Sequence, residues 1–202
     1  MAINDPLATF AEYQARTGVP DNSDQTVIEA HILTASGLMQ RFTGRSFNAT
    51  TGVRYYDGNG RAELYVADFT AITEIALDTD GDGVHETVLG ATWIGRPYEA
   101  ADLSEPYTSV ELMPYSGAEA TVFPAGSHNV KITGTHGWAA VPGAIRDATV
   151  IIARQLRELA ESGLTLTVQA SDEELRVMPG AFSLLTAMQT EYGRRMPGFA
   201  TL

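Results

Sequence analysis

The sequence contains no cysteine, so disulfide bonds and thiolate metal sites are both excluded. Cations are also scarce, because 13 Lys and Arg side chains stand against 25 Asp and Glu side chains, and Lys131 is the only lysine. The formal net charge is -12. Binding to nucleic acid through phosphates needs Lys and Arg to displace counterions, so this acidic chain should repel DNA.

Long hydrophobic runs are missing as well. No window approaches the roughly 18 apolar residues that a membrane span needs. The first residues, MAINDPLATFAEY, have neither the basic region nor the apolar core of a secretory signal. We therefore expect a soluble protein, without membrane contact, that stays in the compartment where it is made.

Enzyme signatures are absent from the sequence too. It has no GxxxxGK[ST] phosphate loop, no HExxH zinc helix and no GxSxG elbow. The four histidines are scattered, and His31 falls in the apolar stripe of a predicted helix, which favours a half-buried core residue over a ligand. The sequence predicts that the protein is not an enzyme and needs no cofactor.

Apolar residues recur every three or four positions in two parts of the chain, which predicts helices there. Asp5 and Pro6 should open a short helix that ends near Gly18. Further helices are predicted over residues 22–43, 143–162 and 182–195.

Between these helices, β-branched and aromatic residues alternate, which is typical of strands. Residues 53–56 and 64–66 predict a hairpin around a turn at 57–60. A second pair is predicted from residues 72–77 and 84–89. Further strands are predicted at residues 93–94, 110–112 and 128–134.

The predicted fold class is α+β, with a helical bundle core and an inserted antiparallel β-hairpin subdomain. The expected parts are N-terminal helices at 1–47, a β-rich insert at 48–141, and C-terminal helices with a docking tail at 142–202, forming one domain overall. Since only the helices carry continuous apolar stripes, we expect the insert to be peripheral.

The acidic motif DTDGDGVHE, residues 78–86, resembles half of a calcium loop. Asp78, Asp80 and Asp82 match positions 1, 3 and 5 of an EF-hand, but position 12 is Leu89, and Glu86 comes three residues early. Asp and Gly are also favoured in tight turns. We expect a turn and no metal, and this cluster is only a weak candidate metal site.

Several short motifs occur in an order that resembles the head–tail connector (adaptor) proteins of long-tailed double-stranded DNA bacteriophages. They are TGRSF at 43–47, RYYDG at 54–58, LDTDGDG at 77–83, FPAG at 123–126, GWAAVP at 137–142 and YGRR at 192–195. The likeness extends over about residues 8–198, and its weight lies in the order of the motifs, because each one alone is a short turn.

The resemblance implies a virion structural protein in the neck, at the head–tail interface, made in the host cytoplasm during assembly. Such subunits form a ring below the portal protein that follows its twelvefold symmetry and joins the next neck protein, a stopper or tail terminator. DNA passes through the channel without specific binding, and a negative lumen would let it slide.

The C-terminal tail is the predicted portal-docking segment. The last helix should end in Tyr192, Arg194 and Arg195, after which proline and glycine stop it and leave Met196 and Phe199 without an obvious core. Aromatic and arginine side chains are frequent interface hot spots, and the C-terminal region docks on the portal in the resembled family.

Other functions stay open at this stage. The main alternative is a calcium-binding extracellular adhesion or binding module that uses the loop at residues 78–86. It would need a secretion route and a true metal site. A hydrolase would need a pocket with convergent titratable groups, and another structural role in a phage neck or tail is also compatible with the motifs.

Overall fold

A computed structural model of the chain describes residues 5–19, 22–90, 92–114, 118–162 and 179–193. The chain divides into two compact units. The helical unit comprises Met1–Phe47 and Val141–Leu202, and the β unit comprises Asn48–Ala140. The described residues include no helix that is long and apolar enough to span a membrane.

Four helices make up the described part of the helical unit: α1 Phe10–Thr17, α2 Gln25–Thr43, α3 Gly143–Glu161 and α4 Pro179–Tyr192. Helix α1 begins one turn later than predicted. Its N-cap is Thr9, whose hydroxyl accepts a bond from the Glu12 N–H at 3.2 Å, while the Glu12 carboxylate accepts one from the Thr9 N–H at 2.7 Å. This reciprocal pair satisfies free N–H groups of the first turn, so the helix begins after Thr9.

The helical unit has an apolar core along α2. Helix α2 contacts α3 and α4, and α1 contacts α2 and α3. The buried apolar side chains of the three long helices are Ile28, Ile32, Ala35, Met39, Ile145, Ala148, Val150, Ile152, Ala153, Leu156, Ala181, Leu185 and Met188. His31, also in α2, is half-buried, as its place in the stripe predicted.

Six strands form one sheet in the β unit. They are β1 Thr50–Gly58, β2 Glu63–Leu77, β3 Thr87–Leu89, β4 Trp93–Arg96, β5 Tyr107–Leu112 and β6 Gly126–His136. The strand order is β1-β6-β2-β5-β4, with β3 added beside β2, and all pairs are antiparallel.

The predicted hairpin of β1 with β2 is wrong, because β6 lies between these strands. Thr50 pairs with His136 on one side of β6, and Ile75 pairs with Ile132 on the other. The chain between β1 and β2 bonds elsewhere: the Gly60 N–H donates to the Phe123 carbonyl at 2.8 Å, and the Phe123 N–H donates to the Arg61 carbonyl at 2.8 Å. The turn predicted at residues 57–60 is therefore hydrogen-bonded to Phe123, far along the chain.

The second predicted hairpin is confirmed. Strand β2 pairs with β3 through Ile75 with Leu89 and Leu77 with Thr87, and the acidic motif connects them. The two short strands predicted at 64–66 and 72–77 are one continuous strand. Its first half pairs with β5 and its second half with β6 and β3, with register irregularities near Phe69 where the partners change.

The predicted fold class is wrong. The structure is a mostly antiparallel six-stranded sheet with four helices, not a helical bundle with an inserted hairpin. The β unit has a buried core of its own: Leu64, Val66, Phe69, Ile75, Leu77, Leu89, Val110, Leu112, Phe123, Val130 and Ile132. These residues come from four strands and a loop, so no single segment shows a long apolar stripe, and the expectation that the insert is peripheral is wrong.

Candidate functional site

The acidic loop, residues 78–86, leaves the sheet at the end of β2 and is organised by its first aspartate. Asp78 is buried, and its two carboxylate oxygens accept bonds from the Gly81 N–H at 2.7 Å and the Gly83 N–H at 2.9 Å. Both glycines have positive φ angles, 82° and 90°, which residues with a Cβ rarely adopt. The Asp78 N–H donates to the Asn129 carbonyl at 2.9 Å and so fixes the loop to β6.

The other carboxylates of the loop also bond to it. The Asp80 carboxylate accepts from the Asp82 N–H at 3.2 Å, and the Asp82 carboxylate accepts from the Val84 N–H at 2.7 Å. The Thr79 hydroxyl donates to the Glu86 carboxylate at 3.1 Å. Asp is frequent in turns because it forms local side-chain bonds of this kind. These bonds explain why the loop is acidic, and a bound ion is not needed for the explanation.

One oxygen atom from each of Asp78, Asp80, Asp82 and Glu86 lies within 4.8 Å of the others. Such oxygens are ligands that Ca²⁺ prefers. Leu89, at the twelfth position of the motif, is buried in β3 and cannot provide a ligand. The strands β2 and β3 flank the loop where an EF-hand has helices, so the loop is not an EF-hand. It remains a weak candidate metal site, and the evidence for it is the short distance between the four carboxylate oxygens.

The bonds from the loop's backbone lower the pKa of Asp78. The Gly81 N–H has the largest effect, burial acts in the opposite direction, and the Gly83 N–H and His85 lower the pKa further. The carboxylate is therefore ionised throughout the neutral range. The Asp78 carboxylate bonds to backbone N–H groups of its own loop and is buried. Its neighbours Asp80, Asp82 and Glu86 are exposed.

A cavity of about 400 Å³ opens beside the acidic loop. One wall is formed by residues 78–81, Gly83 and His85 of the loop, and the other by residues 124–129 at the start of β6. The Asn129 side chain shapes that second wall, because its amide nitrogen donates to the Pro124 carbonyl at 2.8 Å and its oxygen accepts from the Gly58 N–H at 2.8 Å. The cavity thus has acidic residues on one side and Ser127, His128 and Asn129 on the other.

Two histidines that line this cavity, His85 and His128, contact the ring of a tyrosine. The Tyr55 ring stacks on His128 with centroids 4.7 Å apart and contacts His85 at 5.3 Å. The His85 Nε2 atom lies 3.0 Å from the His128 carbonyl oxygen. His128 has a φ of 61°, an unusual value for a residue with a Cβ, and its N–H donates to the Asp57 carboxylate at 2.7 Å.

The sequence did not predict this cluster. Tyr55, His85 and His128 lie on β1, on the acidic loop and on β6, and they meet because β6 pairs with β1 on one side and with β2 on the other. Since the chain between them shows no local motif, only knowledge of that strand pairing could have revealed the cluster. The cluster offers aromatic surface and imidazole groups, and the neighbouring Ser127 hydroxyl donates to the Asp57 carboxylate at 3.2 Å.

Of the predicted docking residues, Tyr192 belongs to the part of the chain that the structure describes. Arg194, Arg195, Met196 and Phe199 lie outside the described residues. Tyr192 is half-buried at the end of α4, and its ring meets the buried Phe47 ring edge-on at 6.2 Å. This contact gives Tyr192 a role in packing the helical unit, and its role in docking stays a prediction.

The sequence matches no protein-family model and no curated protein.

Proposed function

We propose that this chain is a head–tail connector protein of a long-tailed double-stranded DNA bacteriophage. As such it forms a ring below the portal, joins the capsid to the next neck protein and surrounds part of the DNA channel. Its work is mechanical, so it requires contact surfaces rather than a catalytic group. The observation that carries the proposal is the ordered series of motifs between residues 43 and 195.

The places of these motifs in the fold support the proposal. Thr43 and Gly44 end α2, where Gly44 has a φ of 65°, and the RYYDG motif completes β1. The acidic motif connects β2 to β3, and Phe123 belongs to the core of the β unit. The motifs described here thus lie at the end of a helix, at the end of a strand, in a turn and in a core.

The charge of the protein also suits a conduit. The chain has a net charge of -12, and exposed carboxylates such as Asp80, Asp82 and Glu86 cluster on a projecting loop. A negative surface repels phosphates, so DNA would pass a ring of such subunits without adhering to it.

A sedimentation experiment with portal-bearing phage heads tests the proposal. We expect the full chain to co-sediment saturably with these heads and not with heads that lack the portal. Deletion of residues 194–202, which leaves the Tyr192–Phe47 contact in place, should abolish binding while the melting temperature changes little. The matched control is Arg154→Ala, which removes an exposed arginine of α3.

The outcomes separate the function from the docking site. If the full chain does not bind portal-bearing heads, the proposed function is wrong. If the truncated chain binds at full occupancy, the connector function remains and the docking residues lie elsewhere.

A further inference from the structure

All asparagine–glycine and aspartate–glycine dipeptides of the sequence lie in the β unit. They are Asp57–Gly58, Asn59–Gly60, Asp80–Gly81 and Asp82–Gly83, and the first residue of each is exposed. Such dipeptides are the places where a polypeptide most readily modifies itself, because glycine has no Cβ to shield the backbone nitrogen that reacts. Each dipeptide is therefore a candidate site of succinimide formation.

In this reaction the glycine nitrogen gives up its proton and attacks the side-chain carbonyl carbon of the preceding residue. The new N–C bond closes a cyclic imide, the succinimide. At asparagine the departing group takes up the proton and leaves as ammonia, and at a protonated aspartate it leaves as water. Water then opens the ring at either carbonyl and produces aspartate or isoaspartate. The reaction needs no enzyme and no oxidant, but it does need a free glycine nitrogen.

In the acidic loop, one buried carboxylate binds both glycine nitrogens. The Gly81 N–H donates to one oxygen of Asp78 at 2.7 Å, and the Gly83 N–H donates to the other at 2.9 Å. Asp78 is only 7% exposed, and its own N–H donates to the Asn129 carbonyl, so the acceptor is fixed to the sheet. Two reactive nitrogens thus depend on a single side chain.

The two dipeptides at the end of β1 and just after it are bound by residues far along the chain. The Gly58 N–H donates to the Asn129 side-chain oxygen at 2.8 Å, and the Gly60 N–H donates to the Phe123 carbonyl at 2.8 Å. Asn129 and Phe123 are both buried. In every dipeptide of this kind in the chain, the nitrogen that would attack is therefore already hydrogen-bonded.

The side chains that would be attacked are hydrogen-bonded as well. Each accepts a bond from a backbone N–H group at 2.7–3.2 Å: Asp57 from His128, Asn59 from Arg61, Asp80 from Asp82, and Asp82 from Val84. Both partners of each reaction must leave these bonds before a ring can close. Closure therefore requires a local opening of the turn.

We propose that the four dipeptides are latent self-modification sites, and that the hydrogen bonds of their glycine N–H groups keep them unmodified in the folded protein. A donated proton is harder to remove, because the bond stabilises the neutral amide. At Gly81 and Gly83 the acceptor is a carboxylate, so a nitrogen that lost its proton would also face a like charge. The inference goes beyond the proposed function and does not depend on it.

Comparison of the folded and the unfolded chain tests the protection itself. The protein is incubated at neutral pH below its melting temperature, and in parallel in guanidinium chloride. Isoaspartate at each site is then measured by peptide mapping, after labelling with an isoaspartyl methyltransferase. We expect all four sites to react at least about tenfold more slowly in the folded protein, because the reaction must wait for local opening. Equal rates in the two states would overturn the inference.

Removal of the Asp78 carboxylate tests whether the acceptor is the cause. Asp78→Ala should speed isoaspartate formation at Asp80 and Asp82 by about fivefold or more, because each freed N–H group has lost one hydrogen bond. The rates at Asp57 and Asn59 should not change, so these sites report on general unfolding within the same chain. A rise at all four sites alike, or at none of them, would contradict the proposal.

A matched pair of variants at Asn129 tests the second acceptor and decides the question if Asp78→Ala does not fold. Asn129→Ala removes the oxygen that binds the Gly58 N–H and should speed the reaction at Asp57 alone. Asn129→Asp keeps an oxygen for Gly58 but cannot donate to the Pro124 carbonyl, so Asp57 should still react slowly. Equally fast reaction at Asp57 in both variants would mean that local packing, and not the acceptor, controls the modification.

Discussion

The helical unit and the β unit use their charged side chains differently. In the helical unit, arginines join neighbouring helices: Arg16 contacts Asp147 at 2.6 Å, and Arg157 contacts Asp24 at 2.7 Å. The β unit also has ion pairs, Arg96 with Glu111 and Lys131 with Glu74, but several of its other carboxylates bond to the backbone of loops. Asp57 accepts from the His128 N–H at 2.7 Å.

The difference matters because the two kinds of contact have different energetic consequences. An exposed ion pair stabilises a protein by about 0–1 kcal/mol, and salt weakens it further. A carboxylate that accepts bonds from loop N–H groups determines the path of the backbone, and its loss leaves several donors without an acceptor. The helical unit should therefore tolerate the loss of single charges better than the loops of the β unit do.

The largest expected effect comes from the two cores. Ile132→Ala in β6 and Ile152→Ala in α3 should each reduce the free energy of unfolding by about 2–5 kcal/mol, because both side chains are fully buried. Chemical denaturation followed by circular dichroism measures this. Ile151→Ala, beside Ile152 but 37% exposed, is the control and should have little effect. A negligible effect of Ile132→Ala would mean that the β unit does not depend on its own core.

A smaller effect is expected at the acidic loop. Asp78→Ala should lower the melting temperature more than Arg16→Ala does, because Asp78 bonds to the N–H groups of Gly81 and Gly83, whereas Arg16 forms an exposed pair. Asp82→Ala is the control, since it removes one exposed acceptor. If Arg16→Ala were the more harmful, the contrast between the units would be wrong.

The two histidines with a lowered pKa should make stability depend on pH. Burial is the main cause for both, and the cations Arg54 and Arg157 add to it for His136 and His31 respectively. Folding then disfavours the protonated imidazoles. Stability should be complete above the ordinary pKa of 6.5 and should decline as pH falls below it.

His136 should dominate this decline, because it is fully buried and His31 is only half-buried. Melting temperatures from about pH 7.5 to about pH 5.5 would measure the slope. His136→Gln should flatten the slope more than His31→Gln does, whatever either substitution does to stability at neutral pH. Equal slopes in all three proteins would contradict the assignment.

Calcium should have the smallest effect. Because Asp78 already accepts two backbone bonds and Leu89 cannot provide a ligand, millimolar calcium should change the melting temperature by less than about one degree. The variant Asp80→Asn should behave in the same way. A large rise that a chelator reverses and that Asp80→Asn removes would establish a calcium site instead.

Local patterns predicted the helices and the β2–β3 hairpin, because their signals lie within short stretches. The stripe of α2, the glycine at position 44 and the DTDGDG turn each act on residues close in sequence. The order of the strands could not be predicted in this way. Strand β6 lies between β1 and β2 through pairings such as Thr50 with His136 and Ile75 with Ile132, and these partners lie far apart in the chain.

The same reason limited the prediction of the site. The acidic loop was evident as a turn from its Asp and Gly residues, and the bonds of Asp78 explain that composition. The contact of Tyr55 with His85 and His128 depends on three separate segments, so no single motif could predict it. The core of the β unit could not be predicted for the same reason, because its residues come from several strands.

The position of β6 has a consequence for the synthesis of the protein. During translation β1 and β2 emerge first, and neither can complete its pairing until residues 126–136 have left the ribosome. Helix α2 must also wait, because α3 begins only at Gly143. Each unit is therefore completed by a late segment, and pairing across such separations is slow. A nascent chain arrested before residue 126 should expose apolar strands and depend on chaperones until synthesis resumes.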